Sequence, residues 1–332
     1  MKKLMSIFTL FVLIGTLTAC NQDENTIDAE LEEITVVLDW TPNTNHTGLY
    51  VALEEGYYKE QGLNVEIIQP TAGSSDQLVA NGTAHFGVSY QESVTYSRAA
   101  DTPIVSIAAI IQHNTSGFAA LKEAGIESPK DFVGKTYGGW GTAVEKAMIR
   151  ALMEADGVLF TEGETIDDKV NIVQVGAYNF FAPGDIDFFW EYEAWTLKKA
   201  ELEGVDYTYI DLAEENDIFD YYTPVLITSE DMIENNNETV QKFMDATKMG
   251  YEYAIENPTE AAEDLLTHAP ELDRDLVIRS QEFLADEYQS DASVWGIQKE
   301  NVWSRYTNWL VELGEIEQSI DVSKAYTNDY IE

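Results

Sequence analysis

The stretch VVLDWTPNTNHTGLYVALEEGYYKEQGLNVEI, Val36 to Ile67, decides how the rest of the chain is read. Val36, Val37 and Leu38 form a short apolar run of the kind that makes a buried strand. Asp39 to Thr47 is a polar loop interrupted by Pro42. From Gly48 to Glu55, Leu49, Ala52 and Leu53 share one helical face, and Gly56 closes the helix. Gly62 marks a turn, and Asn64 to Ile68 resumes as strand. In open α/β sheets ligands gather at the carboxyl ends of strands. The loop after Leu38 lies at such an end and carries Asp39, Trp40, Asn43, Asn45 and His46. An aromatic platform with several hydrogen-bonding groups suits a small-molecule pocket.

Two patterns in this stretch, L-D-W-x-P-N-x-x-H-x-G-x-Y-x-A and E-x-G-Y-Y-x-x-x-G-L-x-V, carry a family resemblance. The chain resembles the thiamine-pyrimidine (NMT1/THI5-like) branch of extracytoplasmic solute-binding proteins from about Ile34 to about Asn257, most of all its bacterial formylaminopyrimidine-binding lipoproteins. The second pattern is shared with sulfonate- and nitrate-binding relatives, and the first is more specific to the pyrimidine branch. The resemblance implies a bilobal, periplasmic-binding-protein-like type II α/β fold whose two lobes are joined by two hinge strands. It places lobe I at residues 34–109 and 229–332 and lobe II at residues 110–228.

The chain begins with Lys2 and Lys3, an apolar run from Leu4 to Leu17, then Thr18-Ala19-Cys20. A basic start, a short apolar run and small residues spell a cleaved signal peptide over residues 1–19. The run is shorter than the ~20 residues that span a bilayer. The Leu17 to Cys20 ending resembles a lipobox, so Cys20 is the expected lipidation site and the protein is expected outside the cell, anchored to the membrane. Cys20 is the single cysteine, which excludes an internal disulfide. Residues 20–33 read as a polar, acidic tether. Cleavage removes two lysines and no acid, taking the net charge from −41 to −43. Such a surface disfavours nucleic acid as a partner.

Along the chain, Ser74 precedes Leu78 and Val79 and either caps a helix or offers its free amides to a ligand. Residues 83–89 read as strand with His85 packed inside it, and Tyr90 falls at its carboxyl end. Thr136 to Thr142 is glycine-rich but lacks the phosphate-loop form, so a loop setting Tyr137 or Trp140 beside a ligand is expected. Ala177 to Ala182 reads as a short helix or turn, and residues 231–255 as one helical stretch. Trp295, Trp303 and Trp309 are expected to pack on the first lobe.

Phe188 to Glu193, FFWEYE, is the second chemically distinctive stretch, expected to follow a strand at the crevice. Trp190 and Tyr192 could stack on a flat ring. A carboxylate between them would accept charge-assisted hydrogen bonds from an amine and a protonated ring nitrogen. Glu191 is the first candidate and Glu193 the second. The alternative is an amphipathic segment with core aromatics and solvated acids.

The four histidines, His46, His85, His113 and His268, make no paired metal spacing, and no G-x-S-x-G elbow is present. No metal, cofactor or catalytic set is expected, and the reading is a binder rather than an enzyme. The family resemblance implies a formylated or deformylated aminomethyl-pyrimidine as ligand, an ABC permease as partner and a monomer. The alternatives are a binder of a sulfonate, nitrate or riboflavin-like ring, or a pyrimidine synthase-like enzyme using a histidine in the setting of His46.

Overall fold

The computed structural model describes residues 31–71, 73–175 and 184–331. The signal segment, Cys20, most of the tether and Ala177 to Ala182 lie outside the described residues. Each of two lobes is built on a five-stranded sheet, and the two sheets share one plan.

In the first sheet, β1 (Glu32–Val37) lies between β2 (Leu63–Ile68) and β3 (Phe86–Ser89), all parallel. Two helices, α1 (Thr47–Glu54) and α2 (Tyr57–Glu60), link β1 to β2, with Gly56 in the left-handed region between them (φ 80°). Helix α3 (Ser75–Ala80) links β2 to β3, and α4 (Gln91–Ala99) leads to β4 (Ile104–Ala109). In the second sheet, β6 (Thr136–Gly139) lies parallel to and between β7 (Asn171–Gln174) and β8 (Phe188–Tyr192). Helix α5 (Ala143–Ala155) follows β6.

Each sheet is completed by an antiparallel strand arriving from the other lobe. β5 (Ser116–Leu121) enters the second sheet directly after β4 and pairs with β8 and with β9 (Tyr207–Asp211). A π-turn (Glu193–Leu197) and α6 (Lys198–Glu203) connect β8 to β9, and α7 (Leu212–Glu215) follows. β10 (Val225–Ser229) returns and inserts between β3 and β4. The chain then closes with α8 (Glu230–Asn235), α9 (Asn237–Glu256), α10 (Pro258–His268), α11 (Arg274–Glu287) and α12 (Glu300–Leu313).

Several expectations need correction. β1 starts at Glu32, inside the expected tether, because Glu32 and Glu33 pair in register with Leu63 and Asn64. His85 precedes β3 rather than lying in it, and its Nδ1 accepts the Thr35 amide at 3.0 Å, a ladder bond made by a side chain. The helix expected over residues 231–255 breaks at Asn236, which is not helical. Trp295 and Trp303 lie in clusters built on the first sheet, but Trp309 packs with Phe219, Leu310 and the lobe II core, its ring 5.1 Å from that of Phe219. Helix α12 therefore serves both lobes.

The crossings are tied by side chains. Asn114, in the first crossing, donates its side chain to Phe219 O (2.8 Å) and its amide to Asp220 (3.2 Å) in the second. His113 pairs with Asp220 through Nδ1 (2.8 Å) and with Asp291 through Nε2 (3.2 Å). The hydrogen bond to Asp220 and the charges of both carboxylates push the His113 pKa up to about 9 against the opposing effect of burial. A raised folded-state pKa contributes stability below the unfolded value of ~6.5 and loses it as pH climbs. His113→Gln is thus expected to lower the melting temperature at pH ~6 and to matter little once pH passes ~9. Thermal melts across that range check this, and equal losses at both ends would refute it.

Helix α1 packs on α9 through two glycines. A Cβ on Gly250 would lie 2.0 Å from the Gly48 carbonyl oxygen, and one on Gly48 would lie 2.3 Å from the Tyr251 ring. Backbone cannot give way as a side-chain tip can, so Gly250→Ala is expected to cost about 3 kcal/mol in chemical denaturation. A wild-type unfolding midpoint would show that the helices separate freely.

Candidate functional site

The loop after β1 is held by its own polar groups. Asn43 accepts the Asn45 amide at 2.9 Å, donates to Thr41 O at 3.0 Å, and gives its backbone amide to His46 Nδ1 at 3.2 Å. An Nδ1 that accepts leaves the proton on Nε2. His46 Nε2 therefore donates to Asp39 Oδ1 at 2.6 Å, and Tyr90 donates its hydroxyl to Asp39 Oδ2 at 2.5 Å. One carboxylate thus ties the β1 loop to the end of β3. Burial alone would raise the Asp39 pKa. The His46 imidazole and the hydrogen bonds from His46, Tyr90 and its own backbone outweigh that and leave it lowered. Burial and the charges of Asp39 and Glu92 push the Tyr90 hydroxyl pKa upward. Asn43 and His46 are buried, while Trp40 stands 59% exposed.

In the second lobe, FFWEYE does not follow a strand: its first five residues form β8, the central strand of the sheet. The run of aromatics fits a strand packed on both faces. Side chains alternate along a strand, so Trp190 and Tyr192 take one face and Glu191 the other. Trp190 lies in the core cluster with Phe118 and Phe188, and its Nε1 donates to Ser116 Oγ at 2.9 Å. The edge of Trp140, 51% exposed, meets it with centroids 6.2 Å apart. Glu191 is only 3% exposed and pairs in register with Gly117, whereas Tyr192 is 39% exposed at the strand's carboxyl end. Strand alternation thus separates three residues that a post-strand loop could have turned together.

The glycine-rich loop is a cap rather than a cradle. Glu145, in the first turn of α5, accepts from the Tyr137 hydroxyl (2.6 Å), the Trp140 amide (3.0 Å) and the Thr142 amide (2.7 Å) and hydroxyl (2.9 Å). Tyr137 is accordingly fully buried, and of the two expected candidates Trp140 alone stands exposed. Ser74 closes a capping box with Gln77 on the six-residue α3.

The two lobes meet at these strand ends. Tyr192 of β8 lies in the field of Asp39 and Glu92 of the first lobe. Glu92, on the first turn of α4, faces the Tyr221 hydroxyl of the second crossing, and Glu145 lies close enough to act on it. Burial first, then Glu145, raises the Glu92 pKa despite the Tyr221 hydrogen bond. Among the described residues, no lysine or arginine is among the charges acting on Asp39, Tyr90, Glu92, Tyr192, Tyr221 or Tyr306. These strand ends gather aromatic rings and carboxyl groups, a lining that would suit a flat ligand with donor edges. Sequence reasoning passed over Glu92 and Tyr221 as site residues. An acid in the first turn of a helix is ordinary, and its partner lies more than a hundred residues away.

A model of the family described as NMT1/THI5 like matches residues 43–261. The formylaminopyrimidine-binding protein of Halalkalibacterium halodurans is 31% identical over 98% of this chain and 99% of its own. The 4-amino-5-hydroxymethyl-2-methylpyrimidine phosphate synthase of Legionella pneumophila is 27% identical over 90% of this chain and 92% of its own. Among solved structures, the periplasmic aliphatic sulphonate binding protein SsuA of Escherichia coli superposes with a TM-score of 0.66 at 10% identity, covering 90% of this chain and 99% of that one. The fold is therefore the bilobal, periplasmic-binding-protein-like type II fold.

Asp39→Asn leaves His46 and Tyr90 without their shared anion. It is expected to destabilise the protein by about 1–3 kcal/mol near neutral pH. A depressed carboxylate pKa contributes stability above its unfolded value of ~3.9 and loses it as pH falls further. The gap between wild type and variant should therefore close on acidification, read by thermal melts. A gap that stayed constant would show that Asp39 acts by shape and not by charge.

Proposed function

The chain belongs to the NMT1/THI5-like family, and from that premise we propose that it is the substrate-binding component of an ABC importer. It captures a thiamine-pyrimidine precursor of the formylaminopyrimidine type between its lobes and hands it to a membrane permease. The observation that carries this reading is the character of the strand ends: exposed or half-exposed aromatics beside carboxyl groups that no lysine or arginine among the described residues neutralises. An aminopyrimidine presents a flat face to stack and amine hydrogens to donate. A sulfonate or nitrate would need cationic or amide donors at the same place.

We assign ligand contact to Trp40, Tyr90, Trp140 and Tyr192, with Glu191, next to Tyr192 at the carboxyl end of β8, as the acidic anchor and Trp190 backing the Trp140 ring from the core. Asp39, Asn43 and His46 hold the loop that presents Trp40, and Asp39 ties Tyr90 at the end of β3 to that loop. Both ring nitrogens of His46 are engaged and the ring is fully buried. This supports a loop-ordering role over the consumed histidine of a synthase. A lipid on Cys20 would hold the mature protein outside the cell as a monomer, and the lobes would close by rotation about the two crossings.

The test is calorimetric titration of the signal-less protein with formylaminopyrimidine, with taurine and thiamine as controls. Tight binding of the pyrimidine alone is expected, with Glu191→Gln weakening it about 10- to 100-fold. Absence of pyrimidine binding would refute the ligand assignment. Unchanged affinity in Glu191→Gln would move the anchor away from β8.

A further inference from the structure

Helix α4 is stapled to the second crossing by Gln91. Its backbone amide donates to Tyr222 O at 3.0 Å, its side-chain carbonyl accepts the Tyr222 amide at 3.0 Å, and its Nε2 reaches Val302 O at 3.2 Å. The staple sets the residues on either side, Glu92 and Tyr221, against one another. Behind Tyr221 lies Tyr306 of α12, with ring centroids 4.6 Å apart and planes tilted by 43°. The Tyr306 hydroxyl is fully buried, acts within the field of Glu92, and has no hydrogen-bond partner among the described residues. A buried, unpartnered hydroxyl is costly, and folds keep few of them. Glu92 itself is only partly buried and neighbours Tyr192, which is exposed at the end of β8. The carboxyl group therefore stands between a buried pair of tyrosines and Tyr192 at the end of β8.

We propose that Glu92, backed by Tyr221 and Tyr306, is a second acidic subsite of the cleft, and that it receives a cationic nitrogen on the ligand's side arm. The proposal rests on the pyrimidine reading above and deepens it: the protein distinguishes a pyrimidine bearing a free aminomethyl group, an ammonium at neutral pH, from its formylated, neutral counterpart. An amide N–H can donate to Glu92, but it brings no charge. An ammonium supplies the counter-charge that the surrounding groups lack, and charge-assisted pairs are the stronger ones. Among the described residues, the groups that face Glu92 are Glu145 from α5, Tyr192 from β8, Tyr221 from the second crossing, Tyr96 and Tyr90 from its own helix and cap, and Tyr306 from α12. All are acidic or phenolic. Burial and the Glu145 charge raise the pKa of this carboxyl group. An arriving ammonium would lower it again, so whatever fraction of Glu92 carries a proton would release it to solvent on binding.

The experiment is calorimetric titration of the signal-less protein with the aminomethyl-pyrimidine and, separately, with formylaminopyrimidine. Each titration is run in two buffers of different ionisation enthalpy and repeated from about pH 5 to pH 8. For wild type, the aminomethyl compound is expected to release protons and to bind more tightly as pH rises through the Glu92 transition. The formylated compound is expected to show neither effect. Glu92→Gln should weaken the aminomethyl compound about 10- to 100-fold and abolish its proton release, with a smaller change for the formylated one. Glu92→Asp, which keeps the charge on a shorter arm, should retain proton release and so guards against a variant that merely folds poorly. Equal weakening of both compounds, or no proton release in wild type, would overturn the subsite while leaving the pyrimidine reading intact. If neither compound binds wild type, the pyrimidine reading fails first and this inference with it.

Discussion

Each sheet of this protein is completed by a strand that has just left the other lobe. β5 and β10 both occupy the antiparallel place beside the third parallel strand, so the two crossings run straight into the interior of the sheets they feed. A movement of one lobe must therefore bend these short crossings, because each runs from an edge strand, β4 or β9, into a strand paired on both edges, β5 or β10. The groups that tie the crossings, Asn114 and His113 with Asp220, sit where that bending would occur. Gln91 adds a third tie, from the second crossing to the helix that carries Glu92. The crossings and the strand ends thus share residues that are neighbours in the chain.

The same arrangement concentrates negative charge. The carboxyl ends of parallel strands from both sheets meet, and they carry Asp39, Tyr90 and Tyr192, with Glu92 one turn into α4. Asp39 is satisfied by His46 and Tyr90 and behaves as part of the scaffold. Glu145 is likewise occupied, by four donors of the loop it caps. Glu92 differs, since tyrosines and other acids surround it. In a medium of reduced dielectric such a group either holds its proton or waits for a cation.

Much was legible in the sequence because it was local. The strand, loop and helix of Val36 to Ile67 were readable from apolar runs and glycines, and β1, α1 and β2 follow that reading to within a few residues. Asp39, His46 and Tyr90 were each singled out, Tyr90 apart from the other two, although the sequence presented them as ligand contacts and the structure joins them to one another. FFWEYE shows the opposite outcome. Its aromatics marked it as important, but an apolar aromatic run serves equally as a strand-end loop or as a central strand. Placement between β6 and β5 decided the matter, and with it which side chains share a face. Trp309 is similar: helical spacing showed that it is buried, and the core around it belongs to lobe II.

By itself, the amino-acid order determined the class of the fold, the periodicity of its elements, the acidic character of the surface and the family. These depend on composition and on spacings of a few residues, which short-range sterics and hydrophobic burial translate directly into structure. Tertiary structure alone decided which carboxyl groups are neutralised and which stand open. It set Asp39 against His46 and Tyr90, and it brought Glu92 to Tyr221 and Tyr306 across more than a hundred and two hundred residues of chain. The electrostatic state of an acid depends on the charges, donors and solvent around it in space. No pattern along the chain records those neighbours.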